Sequence, residues 1–223
     1  MTNSTATFDL SQTDRLLSTT RSVRKRLDLT GSVPRDVVLD CLRVATQAPS
    51  GGNSQRWRWL VIDDPEARRQ IAKWYQASHD PYMVANRELA GDAIVAGSSQ
   101  DRVMDSSSYL SEHLAEVPVH VIPCWLDRLP ENPSTMDMAG IYGSLLPAVW
   151  SFMLALRARG LGSAYTTLHL AYENEVGEVL GIPPTVTQAA LIPVAYYTGE
   201  DFKPAARKPV EAVTYWNAWG AKA

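Results

Sequence analysis

Residues 137–159 carry the longest apolar pattern in the chain, with Met138, Ile141, Leu145, Val149, Phe152, Met153 and Leu156 recurring on one broad side. The period is that of a helix, and Gly160 directly after it reads as the stop. Pro147 removes one backbone donor inside the run, so the expectation is one helix with a bend rather than two helices. So broad an apolar side cannot be left to water, and the rest of the chain has to cover it.

The flanking segments alternate between helical and extended patterns. Ser32 and Pro34 mark a helix start, Val37, Val38, Cys41, Val44, Ala45 and Ala48 follow at helical spacing, and Pro49 ends the run. WRWLVI (57–62) reads as a strand, and Asp64 with Pro65 opens a second helix through Ile71 and Trp74. VPVHVIPCWL (117–126) is the next strand, where Pro118 and Pro123 argue for an edge or a kink. GSAYTTL (162–168) suits a short strand or turn. A short helix over 173–180 closed by Gly181 then leads to the apolar strand ALIPVAYYT (190–198). Residues 78–108 show little periodicity, and a stretch that long between elements predicts a lid over 78–110. Residues 1–13 are expected to be a loose N-terminal arm, with one domain over 14–223. The class is α+β with a C-terminal extension.

Composition narrows the chemistry. A chain of 223 residues with 45% hydrophobic content can bury a full core. Its net charge of −3 and pI near 5.8 offer no positive field for nucleic acid or an anionic membrane, which favours small-molecule chemistry. No apolar run approaches the roughly 20 residues that span a bilayer. The polar first 13 residues do not read as a signal peptide. Cys41 and Cys124 lie far apart and form no CxxC pair, so a reducing, cytoplasmic setting is expected. His79, His113, His120 and His169 lack metal-ligand spacing, and His169 reads as a local packing or hydrogen-bonding residue. GxSxG, GxxxxGK[ST] and GxGxxG motifs do not occur, so neither a hydrolase elbow nor a classical dinucleotide fold is indicated.

Two polar segments remain. TRSVRKR (20–26) places four cations in seven positions, which alone is either solvated surface or an anion site. Arginine forks are well matched to a phosphate dianion. APSGGNSQRW (48–57) sets Ser50, Asn53 and Gln55 around two glycines after a helix, either as a plain loop or as a turn that meets a flat polar ligand. Followed in order by GLGSAYTTLHL (160–170), LGIP (180–183), LIPVAYY (191–197) and RKP (207–209), these segments resemble the nitroreductase family over nearly the whole chain.

That resemblance implies a nitroreductase-like three-layer α/β/α sandwich on a mixed, mainly antiparallel sheet, with the C-terminal extension exchanged in a homodimer. It implies FMN as cofactor, with Arg21, Ser22 and Arg24 on the phosphate and ribityl chain and Arg207 closing the phosphate from the C-terminal side. Asn53 matches the position that faces the flavin pyrimidine edge, with Ser50 and Gln55 close by, contributed across the dimer. Thr166, Thr167 and Leu168 match the segment that passes flavin N5. Thr20 and Ala205 depart from the family pattern, which often has Arg and Lys there. The implied activity is hydride transfer from NAD(P)H to a nitro, quinone or related acceptor in a ping-pong cycle, with Tyr82, Arg87 and Tyr109 of the lid facing the acceptor. Flavin storage, sensing or fragmentation, and reductive dehalogenation, are the alternatives. The aromatic tail VTYWNAWG (213–220) predicts burial against a partner copy.

Overall fold

The computed structural model describes residues 8–90 and 95–222. Its helices are α1 (Leu10–Thr19), α2 (Arg35–Ala45), α3 (Pro65–Ala90), α4 (Ser99–His113), α5 (Thr135–Ala158) and α6 (Glu173–Leu180). Its strands are β1 (Trp57–Ile62), β2 (Val119–Trp125), β3 (Leu161–Ser163), β4 (Thr187–Gln188) and β5 (Ile192–Tyr196). The described chain falls into two compact units. One is Arg21–Gly199; the other joins the N-terminal residues through Thr20 to those from Glu200 on. Of the loose arm expected over 1–13, residues 1–7 lie outside the described residues and 10–13 form the first turn of α1, capped by the Asp9 carboxylate.

In the larger unit the sheet runs β1-β2-β5-β3, with β4 on the other end of β2, and every named ladder is antiparallel. All seven residues of β2 are buried. A strand buried throughout must be covered on both faces, because successive side chains point to opposite sides. Val119, Val121 and Trp125 meet Leu161, Ile192, Val194 and the helices α2 and α5 in one core. His120, Ile122 and Cys124 alternate onto the other face, where His120 Nε2 meets the Leu114 carbonyl at 2.9 Å. On that side α3 packs on the turns 114–116 and 168–172 and on α6.

The helix expected over 137–159 is α5, and it is continuous through Pro147. Ser134 and Asp137 close a capping box at its start. Its length and a mean hydropathy of 1.5 would suffice to cross a membrane, which the reading of the apolar runs did not anticipate. Here Leu145, Val149, Phe152 and Leu156 instead face the sheet and α2.

Two expectations are corrected. Pro118 and Pro123 suggested an edge or kinked strand, yet β2 is central. Pro123 stands opposite Trp59, and its carbonyl accepts from the Ala189 N–H at 3.0 Å on the other side. Its missing donor therefore falls where the partners of β2 change from β5 to β4, a gap in the ladder that costs no bond. Residues 78–108 are also not a long loop. Residues through Ala90 continue α3, past Pro81, and α4 begins at Ser99. Few of their described residues are buried, namely Ser78, His79, Met83 and Met104, and so narrow a seam leaves little hydrophobic period to read.

Candidate functional site

The segment 21–28 is stitched to the sheet as a strap. Ser22 bridges Ser163, Val23 N–H donates to the Ser163 carbonyl at 2.8 Å, and Asp28 N–H donates to the Tyr196 carbonyl at 2.7 Å. Val23 and Leu27 are buried and anchor it. Gly162 permits the close approach, since a Cβ there would stand 3.0 Å from two Val23 side-chain atoms and 3.1 Å from Leu27 Cδ2. Cations of the strap are engaged within the unit, and Arg24 Nη1 donates to Ser106 Oγ at 3.4 Å. Lys25 pairs with Asp105 at 2.5 Å, and Arg26 donates to the Thr198 carbonyl at 2.6 Å. Arg21 and Ser22 are exposed and Arg24 is half-buried.

Three residues past Ser163, Thr166 exchanges both backbone hydrogen bonds with Leu191, at 3.1 and 2.7 Å. Its hydroxyl shares a hydrogen bond of 2.8 Å with Tyr75 of α3. Burial pushes the Tyr75 phenol up, opposed by the bond to Thr166 and by the charge of Arg24. Tyr75 thus ties α3 to the 166–168 segment, a role that sequence reading missed. Its position four residues after Ile71 marks it as core, but nothing in the pattern tells that its hydroxyl meets Thr166. Thr167 is exposed and begins the 3-10 turn Leu168–Tyr172.

A cavity of about 460 Å³ opens at Thr167 and Leu168, walled by Ala77, Ser78, Pro81 and Tyr82 of α3 and by Ala171 and Tyr172. Trp74 supports the wall from behind, its ring 4.9 Å from that of Tyr172. The lining is mostly apolar with two phenols, which suits a planar organic molecule. Of the three residues expected at the acceptor, Tyr82 alone lines this cavity. Arg87 borders a separate hollow between α3 and α4, and Tyr109 stacks on His113.

Ser50, Asn53 and Gln55 form a second cluster. Gln55 N–H donates to Ser50 Oγ at 3.1 Å and Gln55 Nε2 to Asn53 Oδ1 at 2.9 Å. Gly51 N–H donates to Ser144 Oγ of α5 at 2.9 Å. Asn53 and Gln55 have φ of 51° and 48°, a region that non-glycine residues rarely enter. The turn's hydrogen bonds go to itself and to α5, not to the strap. Arg207 belongs to the smaller unit, exposed in a coil, with Nη1 on the Ala206 carbonyl.

Behind the cavity's turn, His169 is fully buried, and neither ring nitrogen has a hydrogen-bond partner. It is a packing residue. Burial depresses its pKa to about 4 against a weaker upward pull from Glu173, so the ring is neutral.

A model of the nitroreductase family matches residues 17–196. The chain belongs to the nitroreductase family. Similar relatives include an iodotyrosine deiodinase of Drosophila melanogaster, 26% identical over 172 aligned positions, with 72% of this chain and 54% of that protein covered. An NADH dehydrogenase of Thermus thermophilus is 26% identical over 208 residues, covering 88% of this chain and 91% of the relative. The solved structure of the FMN-dependent nitroreductase NfnB from Mycobacterium smegmatis, in complex with NADPH, superposes with a TM-score of 0.67 at 20% identity, covering 94% of this chain and all of that one. At that identity the likeness is one of fold. The strap and the 160–196 strands of this nitroreductase-family chain both fall inside the family match.

Proposed function

We propose that this nitroreductase-family protein is an FMN-dependent oxidoreductase that takes reducing equivalents from NAD(P)H and delivers them to a planar small-molecule acceptor such as a nitroaromatic or a quinone. The observation that carries the reading is the 166–168 segment, where Thr166 is tied to Tyr75 at 2.8 Å and Thr167 and Leu168 line a 460 Å³ cavity, on the same unit as the strap that carries Arg24. The donor set fits FMN. Arg21, Arg24 and the Ser22 hydroxyl suit a phosphate and polyol chain, and an exposed amide such as Asn53 can donate and accept, as a pyrimidine edge requires. FMN, when bound, supplies the chemistry of accepting and releasing a hydride. The chain's own part is to hold the phosphate, to offer a donor from 166–168, and to exclude water with α3 and α4 acting as a lid.

The site needs a second copy in this reading. The turn 50–55 and Arg207 complete it in a homodimer, Ser50, Asn53 and Gln55 coming from the partner copy. Exposed apolar side chains support this: Met136, Met138 and Trp150 on α5, and Trp216 and Trp219 in the tail, the last of them 92% exposed. Two free buried cysteines agree with a reducing, cytoplasmic setting.

The test is the visible spectrum of the purified protein, extraction of its flavin, and anaerobic mixing with NADH or NADPH. The expected result is released FMN rather than FAD, rapid bleaching, and parallel-line kinetics with a quinone, since donor and acceptor use one cavity in turn. A flavin that stays oxidised for many minutes with either nucleotide would sink the reductase reading and favour flavin storage, sensing or fragmentation. A second reading, reductive dehalogenation of a haloaromatic, draws on the aromatic lining of Tyr82 and Tyr172 and on the deiodinase relative. Halide release under the same anaerobic conditions separates it from nitro or quinone reduction.

A further inference from the structure

We propose that Tyr75 is a positioning residue for the reaction proposed above: its phenol donates to Thr166 Oγ1 and so presents the Thr166 proton to the cofactor as a donor, an inference that rests on the FMN reading. Tyr75 is 2% exposed, and the hydrogen bond its hydroxyl makes among the described residues is the 2.8 Å contact with Thr166 Oγ1. Two hydroxyls that share one bond have one donor between them, and burial decides which it is. If Thr166 donated, the Tyr75 proton would be left inside the protein without an acceptor, at the full cost of its desolvation. Thr166 is only half-buried, so its own proton can be satisfied from outside. Tyr75 therefore donates, and burial keeps it protonated to do so.

That proton is the open donor of residue 166, because the backbone N–H and carbonyl are both taken by Leu191, at 3.1 and 2.7 Å. Tyr75 shares one face of α3 with Ser78 and Tyr82, three and seven residues on, and these two wall the 460 Å³ cavity. Thr167 and Leu168, directly after Thr166, form part of its other wall. A hydroxyl without a fixed partner turns to donate or to accept as its surroundings ask. With Tyr75 on one of its lone pairs, the Thr166 proton is directed away from Tyr75. Oxidised flavin has a bare lone pair at N5 and reduced flavin has a hydrogen there, so a fixed donor favours the oxidised form. Differential binding of that kind holds the reduction potential down, which suits a protein that passes its electrons on.

The test is the two-electron reduction potential of the FMN holoprotein against a reference dye, together with FMN titrations in both redox forms. Tyr75→Phe leaves no buried group unpaired, since the Thr166 hydroxyl reaches water, and it keeps the ring that packs in the core. It is expected to weaken oxidised FMN about tenfold and reduced FMN hardly at all, a rise in potential of about 30 mV for a two-electron couple. Thr166→Ala should raise the potential at least as far, adding Tyr75→Phe to it should raise it no further, and Thr166→Ser should keep the native value. A role in packing alone would weaken both redox forms alike. An unmoved potential in Tyr75→Phe, or a double variant whose shift is the sum of the two singles, overturns the inference and leaves the FMN reading standing. A protein that binds no FMN overturns both.

Discussion

The strap at 21–28 and the turn at 50–55 are both polar segments that the family resemblance assigns to one cofactor, yet they are built in opposite ways. The strap is held by backbone bonds to Ser163 and Tyr196 and by two buried aliphatic anchors, with no residue at positive φ. The turn has Gly52, Asn53 and Gln55 all at positive φ, and its side chains bond mainly one another. Backbone strain of this kind costs on the order of 1–3 kcal/mol and persists where surroundings or function hold it. The strap therefore gains stability from its position. The turn holds a strained conformation, which the proposed function explains by the cofactor it would meet.

The largest effect expected is a pH dependence that arises in the larger unit's core and not at the exposed turn. His120 lies on β2 and His169 in the 168–172 turn, and burial depresses both to about 4 from an ordinary 6.5. A histidine neutral in the fold and free to protonate when unfolded stabilises fully above 6.5 and loses that contribution as pH falls toward 4. The loss is up to about 1.4 kcal/mol per pH unit for each ring. Carboxylates held low, such as Asp63 through its bond to Arg35, lose theirs only below their own ordinary range, so the window between belongs to the histidines. Urea midpoints should fall steadily across it, and His169→Phe should remove about half of the slope. A flat midpoint from neutrality to about pH 4.5 would show that the two rings are not buried as described.

Next in size is cofactor affinity. Arg24→Ala removes a charge-assisted contact of about 1.5–3 kcal/mol, which is roughly tenfold to a hundredfold in FMN affinity at about 1.4 kcal/mol per decade. Asn53→Ala replaces an amide whose Oδ1 already accepts from Gln55, and a loss of about tenfold or less is expected. Equal losses in an FMN titration would erase the distinction between strap and turn; an Arg24→Ala protein with unchanged affinity would remove the strap from the site.

How much of this was readable in advance depends on what each element leaves in the sequence. β1 and α6 match their expected bounds to the residue, because aromatic and β-branched residues bounded by Asp63 and Asp64 make a strand, and Gly181 at φ 65° makes a helix stop. The second half of α3 and all of α4 left almost no signal, since helices packed through a narrow seam show little period. β2 read as an edge or a kinked strand because proline is judged by the donor it lacks, whereas the gap between β4 and β5 that absorbs Pro123 exists only in three dimensions. Of the site, 166–168 was picked out by resemblance, and the Tyr75 hydroxyl that holds Thr166 in the fold left no mark in the sequence. The seating of the strap was in principle visible in Gly162, but a glycine's close approach shows only when its neighbour is known.

Gly162 offers a smaller test on the strap side. A Cβ at 3.0 Å from Val23 has no free room, so Gly162→Ala should destabilise by about 1–2 kcal/mol as the strap shifts outward. FMN affinity should fall with it, because Arg24 moves with Val23. Thermal melts and flavin titration on one sample check both. A variant that melts lower yet binds FMN as before would mean that the strap's seating and its binding role are separable.

The smallest effect distinguishes the turn most sharply. At Gln55, φ of 48° is unfavourable for a residue with a Cβ and costs glycine little, while the side chain's own bond is a single exposed contact to Asn53. Gln55→Gly relieves that strain at the expense of a more flexible unfolded chain, and a net gain of about 0.5 kcal/mol is expected. Flavin binding or turnover should fall in the same variant, since the Gln55 amide and the orientation it gives Asn53 are both lost. Stability and function then move in opposite directions at the turn, whereas Gly162→Ala lowers both at the strap. Denaturation midpoints beside FMN affinity decide the matter. If Gln55→Gly lowers stability, the positive φ is held by packing rather than by function, and the turn becomes an ordinary loop after α2.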